Sequence, residues 1–220
     1  MPLHLDLRVV ELLASRLCHD LVSPVGAVNN GLELLAEDLS DTGAVSDAVR
    51  LAQGSGQQAA KLLQFYRLAY GQAGHRRASG GDEIFDLAYA YVRGHKSELI
   101  WPVDDRWADV LAGAQKLTLN LVALAVEVLP RGGTVTVALE AQAVPWPVVS
   151  AEGKDLRFDD TLKAALSLSC DPQNLTARTV QAHWTAWLAS AVAGGLAAGA
   201  AGADSAVFRV LPPEPEPSTP

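Results

Sequence analysis

Hydrophobic and polar positions follow the period of an α-helix through most of the first 70 residues. One helical run extends from Leu7 to about Leu39 and a second from about Ala44 to Tyr70, with a turn-forming stretch at 40–43 between them. This pattern predicts an antiparallel helical hairpin. Each helix of roughly 30 residues would be about 45 Å long at 1.5 Å per residue. Because a lone hairpin of this length cannot bury both of its apolar faces, we expect two copies to pair as a dimeric four-helix bundle.

A different pattern follows, in which shorter helical runs alternate with strand-like runs. We predict helices over 82–93, 109–129 and 176–192, strands over 99–103 and 134–140, and a terminal hairpin of 196–201 and 206–211. Residues 74–81 are small or basic and aperiodic, and this linker separates a hairpin domain, 1–73, from an α/β domain over 82–211. The proline-rich end, 212–220, is predicted to be a disordered tail. The fold class is therefore α+β.

The composition favours a folded protein of the cytoplasm. With 220 residues, 49% of them hydrophobic and 19% charged, the chain can bury a core and is too apolar to be disordered. Its 17 basic and 25 acidic residues give a net charge of −8, which has the wrong sign for binding nucleic acid. Cys18 and Cys170 cannot form a disulfide framework or a zinc site. The first residues show no secretory signal, and the uncharged run 185–203 is too rich in alanine and glycine for a membrane helix.

A polar ridge on the first predicted helix carries the strongest candidate for chemistry, His19. Steps of three and four residues from His19 lead along one face to Ser23, Gly26, Asn30, Glu33 and Glu37. The imidazole should therefore face solvent, where its neutral form is a nucleophile at physiological pH. The adjacent Asp20 can orient the ring or stabilise charge as it attacks phosphorus. We expect Pro24 to bend the helix just below the histidine and Gly26 to leave room for another protein.

The residues around His19 match a known signalling motif. The segment His19–Val25, HDLVSPV, resembles the H-box of two-component histidine kinases, in which a histidine, an acidic residue and a proline mark the phosphoacceptor helix. The longer run 13–35, LASRLCHDLVSPVGAVNNGLELL, resembles the ChpT-type histidine phosphotransferases of alphaproteobacteria. This resemblance implies a homodimer built on a four-helix bundle, followed by an α/β sandwich similar to the histidine kinase ATPase (Bergerat) fold.

The second domain resembles a kinase ATPase domain without its nucleotide site. Residues 119–125 and 130–137 resemble the N-box helix and the next strand of that fold, and Asn120 matches the first asparagine of the box. Leu124 stands where active kinases have a second asparagine, and an apolar side chain cannot coordinate Mg²⁺. No Asp-x-Gly-x-Gly segment follows. The resemblance therefore implies that the chain binds no ATP, has no autokinase activity and holds no cofactor, with Mg²⁺ supplied by a partner's receiver domain.

The same resemblance implies a protein-histidine phosphotransferase that acts as a phosphorelay intermediate. The receiver aspartate of a CckA-like hybrid histidine kinase would give its phosphoryl group to His19, which would pass it to the aspartate of CtrA-like and CpdR-like response regulators. His19 and Asp20 would be the catalytic residues. Two other classes stay open: an autophosphorylating kinase, which Leu124 opposes, and a non-catalytic dimeric docking protein or phosphatase-like regulator of a response regulator.

Polar side chains of the second helix are candidates for assisting the transfer. If the hairpin turns near Asp41, facing residues have numbers that sum to about 83, which brings Lys61, Gln64 and Arg67 to the level of His19. We propose Lys61 or Arg67 as the helper on the phosphate side.

The first helix offers further candidates beside His19. Arg16 lies one turn before Asp20 and is predicted as an alternative cation that pairs with it. Ser23, Gly26 and Asn30 are candidates for contacting a docked receiver domain. For Asn30, docking and simple solvation of the helix surface are equally compatible with the sequence.

Overall fold

The computed structural model describes residues 5–37, 40–71, 80–102, 104–110, 112–140 and 145–213. Its helices are α1 (Leu7–Glu37), α2 (Thr42–Ala69), α3 (Gly80–Gly94), α4 (Ala112–Glu127), α5 (Asp160–Ala165) and α6 (Val180–Val192). Its strands are β1 (Glu98–Ile100), β2 (Thr134–Leu139), β3 (Pro147–Glu152), β4 (Gly195–Gly202) and β5 (Ser205–Leu211). Among the helices so described, none is long and apolar enough to cross a membrane.

The first two helices form the predicted antiparallel hairpin. Asp41 caps the start of α2, where its carboxylate accepts hydrogen bonds from the backbone N–H groups of Gly43 at 2.8 Å and Ala44 at 3.2 Å. The helices approach each other closely at Gly31, because a Cβ atom there would lie 2.9 Å from the carbonyl oxygen of Ala48 and 3.0 Å from the Cβ of Ala52. The pairing of residues 31 and 52 agrees with the counted register of the hairpin.

The remaining elements pack helices against one five-stranded sheet. The strand order is β1-β2-β3-β5-β4, with β1 parallel to β2 and the other neighbours antiparallel. The parallel pair needs a crossover connection, and α4 provides it. This helix packs against β3 and α6, so its side chains at Leu121, Val122 and Leu124 are fully buried. The chain therefore has the mixed α+β architecture that the sequence predicts.

The hairpin and the sheet domain share one hydrophobic core. Val9 of α1 and Phe65 of α2 are fully buried in the same cluster as Leu117 of α4. Two hydrogen bonds reinforce this contact at the end of α2: Asn120 Nδ2 donates to the Ala69 carbonyl at 2.7 Å, and the Tyr70 hydroxyl donates to Gln181 Oε1 at 2.5 Å. The base of the hairpin is therefore fixed against α4 and α6.

A glycine turn brings the end of α4 beside the end of α3. Gly132 and Gly133 adopt positive φ angles of 79° and 155°, which favour glycine. A Cβ atom on Gly132 would lie only 2.1 Å from the carbonyl oxygen of Lys96, so no larger residue fits there without a backbone shift. The loops that follow both helices consequently lie together, on the side of the domain that faces the hairpin.

The structure also departs from the sequence prediction in places. Strand β3 and helix α5 are absent from the predicted elements, although both lie in the core. Helix α3 begins at Gly80, inside the predicted linker, and residues 72–79 lie outside the described residues. The same holds for residues 214–220 of the predicted tail. The terminal hairpin is confirmed as β4 and β5.

Candidate functional site

The candidate nucleophile His19 projects from the middle of α1 into solvent. Its side chain is 89% exposed, and its Nδ1 lies 3.3 Å from Asp20 Oδ1. Ser23 and Asn30, further along the same ridge, are also exposed, and Gly26 is half-buried with open space where a Cβ would lie. The predicted polar ridge is therefore confirmed as an accessible surface.

Asp20 connects His19 to the second helix of the hairpin. One carboxylate oxygen, Oδ1, faces the imidazole, and the other, Oδ2, accepts a short hydrogen bond from the Tyr66 hydroxyl. A carboxylate can only accept hydrogen bonds, so its contact with His19 favours a proton on Nδ1. The lone pair of the exposed Nε2 is then free to attack an electrophile.

His19 lies between two clefts at the junction of the hairpin and the sheet domain. The first cleft, of about 620 Å³, lies between α1, α2 and the end of α3, and the second, of about 670 Å³, lies between α1 and the loops after α3 and α4. The cations that line one or other cleft are Arg16, Lys61, Arg93, Lys96, Arg157 and Arg178. The carboxylates of Asp20 and Glu127 line the clefts as well, and Arg16 is paired with Glu127. Cations still outnumber carboxylates around His19, in a chain whose net charge is −8.

Of the three helpers predicted on α2, the structure brings one into the cleft. Lys61 lines the first cleft together with His19, whereas Gln64 and Arg67 are exposed and line neither cleft. Counting along an antiparallel pair gives the level of a residue but not the side of the helix on which it lies. The structure therefore brings Lys61 into the cleft beside His19, while the roles predicted for Gln64 and Arg67 stay predictions.

The predicted pair between Arg16 and Asp20 is wrong. Arg16 Nη1 lies 2.5 Å from Glu127 Oε2 at the end of α4, and it also donates to the carbonyl of Ala177 at 3.4 Å. Burial lowers the pKa of the Arg16 guanidinium, but the neighbouring Tyr91 and Glu127 raise it by more, so Arg16 stays charged. Asp20 has Tyr66 as its partner instead, and Arg16 joins the hairpin to the sheet domain.

Tyr66 is the residue of this site that sequence reasoning missed. It is 5% exposed and lies in a cluster of aromatic rings with Phe65, Tyr70 and Tyr91. Burial raises the pKa of Tyr66 above its usual value, and Tyr91 and Asp20 raise it further, so the hydroxyl keeps its proton. The available signal was the hairpin register, which places residue 66 within a turn of Asp20 on the facing helix.

The positions that resemble a kinase N-box belong to the core. Asn120 is fully buried: its Nδ2 donates to the carbonyls of Ala69 at 2.7 Å and Lys116 at 2.9 Å, and its Oδ1 accepts from Gln181 Nε2 at 3.2 Å. Leu124 is fully buried one turn later. In the part of the chain that the structure describes, no group of three or more His, Cys, Asp and Glu side chains could hold a metal ion.

Comparisons with known proteins agree with this architecture. The family model described as the histidine phosphotransferase C-terminal domain matches residues 81–204. Protein phosphotransferase ChpT of Brucella abortus (strain 2308) is 38% identical over 183 residues, which cover 81% of this chain and 83% of that protein. A solved structure of a bacterial phosphotransferase matches with a TM-score of 0.73 and 33% identity over 95% of this chain and 98% of that one. The chain therefore belongs to the ChpT-type family of histidine phosphotransferases.

Proposed function

We propose that this chain is a protein-histidine phosphotransferase in which His19 carries the phosphoryl group. The phosphoryl group arrives from the receiver aspartate of a hybrid histidine kinase and leaves for the receiver aspartate of a response regulator. The observation that carries this proposal is the exposed imidazole of His19 with its Nδ1 against the Asp20 carboxylate. Family membership supports phosphotransfer in general, and the geometry supports His19 as the acceptor.

The chemistry needs little beyond a well-placed imidazole. The Nε2 lone pair of His19 forms the N–P bond as the O–P bond of the receiver's acyl phosphate breaks, and the electron pair of that bond stays on the receiver's carboxylate. The proton remains on Nδ1, and the Asp20 carboxylate stabilises the positive charge that the ring gains. Transfer to the next receiver is the reverse of this step, so one site serves both directions.

The cations of the two clefts support transfer by attracting phosphate. Lys61 shares the first cleft with His19 and is our candidate for contacting the phosphoryl oxygens. Mg²⁺ comes with the receiver domain in this proposal, and the chain itself holds no cofactor. The bonding of Asn120 within the core and the apolar Leu124 support the absence of ATP binding and of autokinase activity.

The apolar surface of the hairpin supports a homodimer. Leu7, Ala14, Cys18, Val25 and Leu32 are exposed and recur at intervals of seven or four residues along one side of α1. This stripe lies away from the His19 ridge. Pairing of two hairpins through this face would complete a four-helix bundle and leave both copies of His19 accessible.

The ridge that runs from His19 to Asn30 is the proposed docking surface for receivers. We keep a CckA-like hybrid kinase as donor and CtrA-like and CpdR-like response regulators as acceptors, which places the relay in the cytoplasm. Open space at Gly26 supports close approach of a partner backbone. A non-catalytic docking protein or phosphatase-like regulator would use the same ridge, so the test must separate binding from transfer.

Transfer of radiolabelled phosphate from a phosphorylated hybrid-kinase receiver, with Mg²⁺ present, is the direct test. The wild-type chain should take up label that is acid-labile and alkali-stable, and His19→Ala should take up none while it still binds the receiver. His95→Gln, which changes the other histidine of the cleft, identifies which imidazole carries the label. Label that persists in His19→Ala, or a wild type that no receiver labels, would overturn the proposal.

A further inference from the structure

The contact between Asp20 and His19 needs an explanation, because adjacent residues of a helix do not face each other. Successive side chains point about 100° apart around the helix axis. The Asp20 carboxylate must therefore turn back along α1 to place Oδ1 3.3 Å from His19 Nδ1. Without a second restraint it would rotate toward water or toward the cations of the clefts.

The Tyr66 hydroxyl supplies that restraint from the facing helix. It donates to Asp20 Oδ2, so each oxygen of the carboxylate has its own partner. The ring of Tyr66 is fixed in turn, with its centroid 5.6 Å from that of Tyr70 and 6.4 Å from that of Tyr91. A hydroxyl that is held so firmly restricts the rotation of the carboxylate that it binds.

We propose that Tyr66 is a positioning residue for phosphotransfer, which fixes the Asp20 carboxylate so that the carboxylate holds the proton on His19 Nδ1 and presents Nε2 as the nucleophile. The inference rests on the proposed function of His19. Tyr66 does not touch the phosphoryl group and acts only through Asp20. Because Tyr91 of α3 packs on Tyr66, the sheet domain takes part in orienting the nucleophile of the hairpin.

The chain offers a matched control for this contact. Tyr70 belongs to the same aromatic cluster, and its hydroxyl donates one partly buried hydrogen bond to Gln181. The variant Tyr70→Phe removes that hydrogen bond. Tyr66→Phe and Tyr70→Phe therefore remove the same group from neighbouring positions. Only Tyr66→Phe removes a contact with Asp20.

The first measurement is the tautomer of the His19 ring, read from ¹⁵N NMR shifts under mildly alkaline conditions where imidazole is neutral. The wild type should show mainly the form protonated on Nδ1. Tyr66→Phe should lower the ratio of that form to the Nε2-protonated form roughly fivefold, as expected for the loss of one hydrogen bond. Tyr70→Phe should leave the ratio unchanged. An unchanged ratio in Tyr66→Phe would overturn the inference.

The second measurement is the rate at which the full chain takes up phosphate from phosphoramidate, a small donor that needs no partner protein. Tyr66→Phe should slow uptake roughly three- to tenfold, and Tyr70→Phe less than about twofold. In an Asp20→Asn background, Tyr66→Phe should have little further effect, because the two residues act as one unit. Equal slowing by both tyrosine variants, with equal thermal stability, would mean that Tyr66 serves packing alone.

The two proposals fail in distinguishable ways. If neither phosphoramidate nor a phosphorylated receiver labels the wild type, the proposed function fails, while the tautomer ratio still tests the contact between Tyr66 and Asp20. If the wild type is labelled on His19 and Tyr66→Phe keeps both its rate and its tautomer ratio, the function stands and the positioning role fails.

Discussion

The hairpin and the sheet domain differ in how completely one chain buries their apolar side chains. In α4, Leu121 and Leu124 are fully buried, whereas in α1 Val25 is 47% exposed and Leu32 54% exposed. Burial of an apolar side chain stabilises a protein by about 1.5–3 kcal/mol. Covering the exposed stripe of α1 would therefore be favourable. In the homodimer that we propose, a second copy of the chain would cover the exposed stripe of the hairpin.

This difference separates two roles within the molecule. The two surfaces that we propose for contacts with other proteins, the His19 ridge and the apolar stripe, both belong to the hairpin. In the sheet domain, by contrast, the buried amide of Asn120 is bonded within the core, to Ala69 and Gln181. Its contacts with Tyr66 and Arg16 join it to the helices that carry the candidate site.

The largest expected effect comes from placing charge on the exposed stripe. The double variant Val25→Glu with Leu32→Glu would bury four carboxylates in a dimer, and each buried charge costs several kcal/mol. We expect the double variant to lower the free energy of dimer dissociation by more than about 5 kcal/mol. The separated monomers should keep their helix content. Analytical ultracentrifugation and circular dichroism measure both quantities.

The control for this prediction is an equally exposed leucine on another side of α1. Leu34 is 52% exposed but lies off the stripe, so Leu34→Glu should leave the dimer intact. If Leu34→Glu dissociates the chains as strongly as the double variant does, or if the wild type is a monomer, the apolar stripe is not the dimer interface.

The second effect concerns the junction of the two regions and appears at alkaline pH. Burial raises the pKa of Tyr66, Tyr70 and Tyr91 in the folded chain, with Arg16 opposing the shift at Tyr70 and Tyr91. Unfolded tyrosine ionises near pH 10, so this stability is fully present below about pH 10 and is lost as the pH rises further. All three groups act in the same direction, so the free energy of unfolding should fall as the pH rises above about 10.

Lys116 acts in the opposite direction over a lower range. Burial lowers its pKa, so the unfolded state holds that proton more tightly. The free energy of unfolding therefore rises with pH until lysine loses its proton in the unfolded chain near pH 10.4. Urea unfolding at fixed protein concentration between pH 8 and 11 measures the sum. Tyr70→Phe should reduce the alkaline slope by about a third. If Tyr70→Phe and the wild type have the same alkaline slope, the tyrosine cluster is not buried in solution.

Features that depend on residues near one another in the sequence could be predicted. Contacts between residues far apart in the sequence could not. The exposure of His19 follows from helical period alone, and so does the ridge from Ser23 to Asn30. The partner of Arg16 could not be predicted, because Glu127 is 111 residues away and the sequence does not show how α4 packs on α1. Residue counting brought Lys61 to the level of His19, and only the packed structure shows that the two residues line the same cleft.

Strand β3 was missed for a local reason. Pro145 and Pro147 flank Trp146, and two prolines so close together are typical of a loop. Only a short alternating run around Val149 carries the strand pattern. Proline is tolerated as the first residue of a strand, where Pro147 lies, so the signal was present but weaker than the proline pattern.

The smallest effect contrasts two glycines of α1. Alanine favours a helix over glycine by about 0.5–1 kcal/mol, so Gly26→Ala, where nothing lies within 4 Å of the added Cβ, should stabilise the chain by that amount. Gly31→Ala should destabilise it by about 1–3 kcal/mol, because its Cβ would press on the backbone of Ala48 and Ala52. Thermal unfolding of the two variants and the wild type measures whether each substitution stabilises or destabilises the chain.

The same pair of variants tests what the open space at Gly26 is for. If a docked receiver comes close to the helix there, Gly26→Ala should slow transfer from a receiver while leaving uptake from phosphoramidate unchanged, since the small donor needs no close backbone approach. Gly31 faces α2 and not the ridge, so any slowing in Gly31→Ala should affect both donors equally. Equal rates of receiver transfer in Gly26→Ala and wild type would leave that space without a role in docking and confine the docking surface to the other residues of the ridge.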